Sequence, residues 1–176
     1  MQTTSVLRPS GSARLFLALW PDDAVRSRLA AQRDAVRMSP GGRAVSDVNL
    51  HATLHFIGAI DRERIRTLWV ALSEVDARPV CLTATTLAIW KSGTVVLQMQ
   101  GDCALTALHT ELGSALRTCG IALDARPFAP HVTLARGASS AELPSAPNQL
   151  DWRATGFALV ESTGGSPPVY RVLAAR

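Results

Sequence analysis

The chain has 176 residues, of which 47% are hydrophobic and 18% charged. A chain of that size buries roughly 70% of its unfolded surface and needs no disulfide or metal staple, and the composition excludes both disorder and a charged tail protein. Eighteen basic against fourteen acidic residues leave a net charge of +4, which permits a polyanionic ligand without specifying one.

No run of 18 apolar residues occurs, so the sequence predicts no membrane span. Residues 1–13 lack the continuous apolar stretch of a secretory signal and read as a flexible tail. Residues 14–176 are then expected to form a single domain. Cys81, Cys103 and Cys119 contain no C-x-x-C pair, which speaks against a disulfide framework or a zinc site and fits a reducing, cytoplasmic setting. Lys91 is the only lysine. The arginine bias is what GC-rich coding alone would produce, although the planar guanidinium fork also suits phosphate.

In chain order, RLFLALW (14–20) reads as a short apolar strand ended by Trp20-Pro21. Asp22 is placed to cap a helix running to about Arg37, with Val25, Leu29 and Val36 on one face. SPGG (39–42) is a turn by composition. HATLHFIG (51–58) reads as a strand, after which Asp61 starts a helix whose Ile65, Leu68, Trp69, Leu72 and Val75 form an i, i+3, i+4, i+7 stripe. PVCLTATTLAIW (79–90) is a strand leading into the turn Lys91-Ser92-Gly93. A strand TVVLQMQ (94–100), a helix over 104–119 with Leu105, Leu108, Leu112 and Leu116 on one face, and HVTL (131–134) follow. Two strands, 152–162 and 169–174, close the chain around the turn TGGSPP.

The second half repeats the first at an offset of 80 residues: TVVLQMQ falls under RLFLALW, the helix over 104–119 falls near the helix after Asp22, and HVTL falls on HATL. The repeat spans about 14–58 and 94–136, and the two closing strands show no clear counterpart in it. Strict alternation then assigns faces. Leu15, Leu17 and Leu19 oppose Arg14, Phe16, Ala18 and Trp20. Ala52, Leu54 and Phe56 oppose His51, Thr53 and His55, while Val132 and Leu134 oppose His131 and Thr133. Each repeat thus has an apolar face for its helices and a polar face carrying a His-x-Thr pair. Two such lobes facing each other make a groove with a His and a Thr on either wall.

Histidine is the side chain best suited to proton transfer near pH 7, and two on opposite walls can act as base and acid in one in-line displacement. A threonine on the same face offers a hydroxyl to a phosphoryl oxygen. No cluster of acidic residues accompanies the pair, so a two-metal site of the usual oxygen-rich kind lacks ligands. No G-x-S-x-G elbow, P-loop or H-E-x-x-H is present. The chemistry left is acid–base catalysis on a phosphodiester, with no metal and no cofactor.

The paired HATL and HVTL, each closing a strand–helix–strand repeat, resemble the two H-x-T-x motifs of the 2H phosphoesterase superfamily. RLFLALWPDDAV, VNLHATLHFIG, RPFAPHVTLAR and VYRVL look more closely like the bacterial and archaeal RNA 2′,3′-cyclic phosphodiesterases, formerly called 2′-5′ RNA ligases. The resemblance implies a bilobal α+β fold, two pseudo-symmetric lobes of antiparallel sheet with outer helices around a central cleft. It implies metal-independent hydrolysis of a terminal 2′,3′-cyclic phosphate on RNA or an oligonucleotide to a 2′-phosphate, with His51 as proton donor, His131 as acceptor, and Thr53 and Thr133 on the non-bridging oxygens. Arg136 is the phosphate-binding arginine of that pattern, although alternation places it opposite His131 unless the strand ends or twists first.

Arg14 and Phe16 share the groove-side parity and are candidates for phosphate and base, with Phe128 and Tyr170 behind them. Relatives commonly carry a lysine where this chain has His55, which by parity lines the same groove. Relatives often carry Trp-Val where Ala44-Val45 stand. His109, mid-helix, is expected at the surface. The same site acting on small cyclic nucleotides or 2′-5′-linked oligonucleotides, including weak reverse 2′-5′ RNA ligation, and a non-catalytic RNA-end binding module, are the competing readings. A monomer without a protein partner is expected.

Overall fold

The computed structural model describes residues 11–165 and 167–176. Most of the expected tail, residues 1–10, therefore lies outside the described residues; β1 (Ser12–Leu19) starts two residues before the position anticipated for the domain. It is followed by α1 (Asp23–Asp34), β2 (Arg43–Ala44), β3 (Ala52–Asp61), α2 (Ile65–Ser73), β4 (Val80–Trp90), β5 (Thr94–Gly101), α3 (Cys103–Thr118), β6 (His131–Arg136), β7 (Asp151–Ala154), β8 (Ala158–Ser162) and β9 (Tyr170–Ala175).

The strands form one antiparallel sheet in the order β7-β4-β5-β6-β3-β1-β8-β9, with β2 paired to β6. It divides into two four-stranded halves, β6-β5-β4-β7 and β3-β1-β8-β9, that meet where the two motif strands lie side by side. Their only registered pair is Ala52 with Val132. The fold is α+β and bilobal, as the resemblance implied. Equivalent helices start with equivalent caps: Asp22 accepts from the Val25 amide and Asp102 from the Leu105 amide, both at 2.8 Å.

The leucine stripes bury as expected, with Leu29, Leu68, Leu72, Leu105, Leu108, Leu112 and Leu116 in a single core with Leu15, Leu17 and Leu19 of β1. α1 ends at Asp34, short of Arg37, although Val36 stays buried. On the opposite sheet face Phe16, Ala18, Ala158 and Val160 form a smaller cluster with Trp20 and Tyr170. No helix among the described residues is long and apolar enough to cross a membrane.

The expected strand over 152–162 is two strands. β7 pairs with β4 and β8 with β1, in opposite halves. The break falls at Gly156, where a Cβ would lie 1.6 Å from the Arg176 carbonyl oxygen, and Phe157 and Arg176 exchange two backbone hydrogen bonds of 3.0 Å there. The closing segment therefore has a counterpart after all: β8 flanks β1 as β4 flanks β5.

Two β-bulges decide which side chains reach the groove. Between β1 and β3 the register passes from Ala18↔Thr53 to Leu17↔His55, and between β5 and β6 from Val96↔Thr133 to Val95↔Ala135. Leu54 and Leu134 are the extra residues, and each inserted residue reverses the alternation beyond it. His55 is accordingly turned away from the groove and buried beneath α3, where its Nε2 bonds the His109 carbonyl at 2.8 Å. The parity that assigned His55 to the groove, and Phe56 to the core, is reversed by the Leu54 bulge.

Candidate active site

The two halves enclose a cleft of about 710 Å³, within the usual size range of small-molecule sites. His51 immediately precedes β3 and Thr53 lies on it; His131 and Thr133 lie on β6. All four line the cleft, together with Arg14 and Phe16 from β1 and Arg136 from β6. The strand does not end before Arg136. The Leu134 bulge turns it to the His131 side.

Both histidines are held in the same way. The Nδ1 of His51 is 2.6 Å from the Asn49 carbonyl oxygen, and the Nδ1 of His131 is 2.8 Å from that of Ala129, again 80 residues on. A carbonyl can only accept, so each Nδ1 carries a proton and each Nε2 is the nitrogen left to exchange one. The Nε2 of His51 lies 3.1 Å from the Thr53 Oγ1.

The surroundings of the two rings differ. His51 sits among three aromatic rings: Trp20 stacked at 5.4 Å, Phe16 at 4.9 Å and the edge of Tyr170 at 5.3 Å between centroids. His131 has Trp90 at 4.4 Å. Burial pushes the His51 pKa down to about 4, against the Asn49 carbonyl, which favours the cation; the His131 and Arg136 charges depress it further. Burial also lowers His131, and Arg136 adds to that. With both values below the usual one, both rings are neutral at pH 7. An anion arriving between them favours the charged forms.

Arg14, Lys91, Arg126 and Arg136 line the cleft, and no carboxylate does among the described residues. Arg126 is engaged by Asp124; the other three have no carboxylate partner among the described residues. Nor do three His, Cys, Asp or Glu side chains cluster there to hold a metal ion.

Sequence reasoning missed several lining residues. Phe56, 59% exposed, reaches the cleft because of the Leu54 bulge, which periodicity cannot foresee. Thr94 is the repeat equivalent of Arg14, and the 80-residue offset was the signal for it. Trp90, Lys91 and Ser92 form the turn over the His131 wall, and Ser92 holds φ +70°. A non-glycine residue at positive φ costs energy and tends to mark functional positions. Tyr170 lines the cleft, while Phe128 does not. Phe128 stacks on His109 at 3.9 Å, and His109 stacks in turn on His55 at 4.0 Å. His109 is thus half-buried between two rings rather than a surface residue.

Comparison with known proteins gives the frame a family. A family model described as the 2′-5′ RNA ligase superfamily matches residues 21–166. The RNA 2′,3′-cyclic phosphodiesterase of Escherichia coli strain K12 is 31% identical over 153 residues, covering 85% of this chain and 87% of the relative. A protein of the same name from Thermus thermophilus is 31% identical over 178 residues, covering 91% and 87%. Among solved structures, that of E. coli LigT complexed with 3′-AMP superposes with a TM-score of 0.82 at 28% identity, over 94% of this chain and 98% of that one. With the match spanning most of the length and both motif strands, the chain belongs to the 2′-5′ RNA ligase superfamily.

Proposed function

We propose that this chain is an RNA 2′,3′-cyclic phosphodiesterase that opens terminal cyclic phosphates to 2′-phosphomonoesters by two-histidine acid–base catalysis. The observation that carries this reading is the pair of imidazoles in one cationic cleft, each with its Nδ1–H fixed by the carbonyl two residues earlier and its Nε2 left for proton transfer. The relatives' shared name supports the same reaction.

In this scheme the His131 Nε2 takes a proton from water as the water oxygen bonds phosphorus. The bond from phosphorus to the 3′-oxygen breaks, and that oxygen takes the proton from His51 Nε2. The products are a 3′-hydroxyl and a 2′-phosphate. Thr53, Thr133 and Arg136 donate to the non-bridging oxygens, where negative charge grows. His51 gains its proton as the phosphodiester anion enters. Phe56 offers a ring for the terminal base and Arg14 a further cation, while Phe16, only 4% exposed, packs against the His51 ring.

Residues 14–176 act as one domain of two lobes in this reading, and the unbridged cysteines suit a cytoplasmic setting. The test is hydrolysis, in EDTA, of 2′,3′-cyclic AMP and of an RNA ending in a cyclic phosphate. Turnover that falls by roughly 10²–10⁴ in His51→Ala and in His131→Ala is expected. Tight RNA binding without turnover would leave an RNA-end binding module, and full activity in His131→Ala would overturn the mechanism.

A further inference from the structure

We infer that Arg43 and Arg136 form a second anion subsite that takes the phosphodiester one nucleotide to the 5′ side of the reacting end. This rests on the cyclic phosphodiesterase reading above. Arg43 and Arg136 are direct partners in the β2–β6 ladder. Direct antiparallel partners project to the same face with Cβ atoms about 4.5–5.5 Å apart, and like charges so placed repel. Neither has a carboxylate partner among the described residues, so the repulsion is left for a ligand to relieve.

Both arginines line a small pocket of about 100 Å³ that shares His51, Thr133, Arg136 and Tyr170 with the main cleft. A nucleoside needs a site nearer the usual 300–1,000 Å³, whereas a single phosphoryl group suits this volume. Its remaining walls are mostly apolar, Val45, Pro167 and Pro168 among them. They are also fixed: the Val45 amide bonds the Leu134 carbonyl at 2.8 Å, and the Asn49 side-chain amide bonds the Pro168 carbonyl at 2.8 Å. The guanidinium fork matches phosphate oxygens two at a time.

Chemistry fixes which phosphate this is. In the reacting nucleotide the 2′ and 3′ oxygens belong to the cyclic phosphate and the base occupies C1′, so only the 5′ carbon can bear another phosphoryl group. That group is either a 5′-terminal phosphate or the internucleotide diester, and Arg136 then stands between the two phosphates, with Arg43 facing only the outer one.

The test is calorimetric binding of four product-like ligands to the wild type and to Arg43→Gln. The ligands are adenosine 2′-phosphate, adenosine 2′,5′-bisphosphate, the dinucleotide ApA 2′-phosphate, and the same dinucleotide with a neutral methylphosphonate linkage. Arg43 is exposed, so the variant folds. The wild type is expected to bind the charged dinucleotide about tenfold more tightly than its neutral analogue, and Arg43→Gln to lose that difference. Equal binding of the two dinucleotides by the wild type, or a difference that survives in Arg43→Gln, would overturn the subsite. A bisphosphate that binds as tightly as the charged dinucleotide would overturn its assignment to a diester. Binding is read apart from turnover, so charge-dependent binding without hydrolysis would uphold the subsite and count against the activity.

Discussion

Leu54 and Leu134 stand 80 residues apart and play one part: each is the inserted residue of a bulge one position beyond a motif threonine. Each bulge aims the residue two places further on into the cleft, Phe56 from one wall and Arg136 from the other. A symmetric frame thereby presents unlike chemistry, an exposed ring on one wall of the cleft and a fixed positive charge on the other.

That asymmetry predicts different kinetic signatures at equivalent positions. Phe56→Ala removes a ring on which a base can stack, an interaction typically worth about 1–3 kcal/mol, and is expected to raise KM for 2′,3′-cyclic AMP with kcat little changed. Arg136→Ala removes a donor to growing charge and is expected to lower kcat by roughly 10²-fold, with Arg136→Lys recovering part of the loss. Steady-state kinetics on the two variants separates the effects; a pure KM defect in Arg136→Ala would remove it from the transition state.

The pH profile follows from the two histidines together. The acid must be protonated and the base neutral, and in the free protein burial holds His51 near pKa 4 and His131 below its usual value. Because kcat/KM reports the free enzyme, it is expected to peak below pH 6.5 and to fall as pH rises further. The bound phosphate anion raises both pKa values, so the optimum of kcat is expected at higher pH than that of kcat/KM. The two limbs belong to the pair and not to either ring. Coincident optima for kcat and kcat/KM would contradict this anion-driven loading.

Much of this site is legible in the sequence. The 80-residue offset alone pairs His51 with His131 and Thr53 with Thr133, and the same offset relates the caps Asp22 and Asp102 and the carbonyls of Asn49 and Ala129. Alternation fails where an inserted residue resets it. A bulge is a property of the pairing between two strands, and the run HATLHF carries no local sign that Leu54 has no partner on β1. The same limit applies to Gly156: the residues 152–162 read as one strand because the break is imposed by Arg176 at the far end of the chain.

The four histidines also make stability depend on pH. His51, His55, His109 and His131 all have pKa values lowered in the folded protein, with burial the largest cause in each. The unfolded chain then binds more protons below about pH 6.5, so stability falls as pH drops from there toward the folded values. Within the His55–His109–Phe128 stack, His109 is held down to about 4 by burial, by His55 and by Arg117, against a hydrogen bond to the Leu54 backbone. Tm is expected to fall between pH 7 and pH 5. His109→Phe keeps a ring in the stack without a titrating group and should flatten that slope, whatever it does to Tm at pH 7. An unchanged slope would show that His109 is not where the protons are taken up.

Asn49 ties the first motif to the closing hairpin and predicts a separable effect on His51. Its carbonyl fixes the His51 Nδ1–H, while its side-chain amide, buried, donates to the Pro168 carbonyl in the turn before Tyr170. Asn49→Ala leaves the backbone carbonyl in place but frees the turn. A lost hydrogen bond of this kind costs about 1–3 kcal/mol, and kcat should fall because Tyr170 packs against the His51 ring. Asn49→Asp cannot donate to Pro168 and adds a negative charge two residues from His51, which favours the imidazolium. Both variants should therefore lower Tm at pH 7, but only Asn49→Asp should move the optimum of kcat/KM to higher pH. An optimum that stays in place in Asn49→Asp would mean that the charge does not reach the His51 ring, and would confine Asn49 to anchoring the turn.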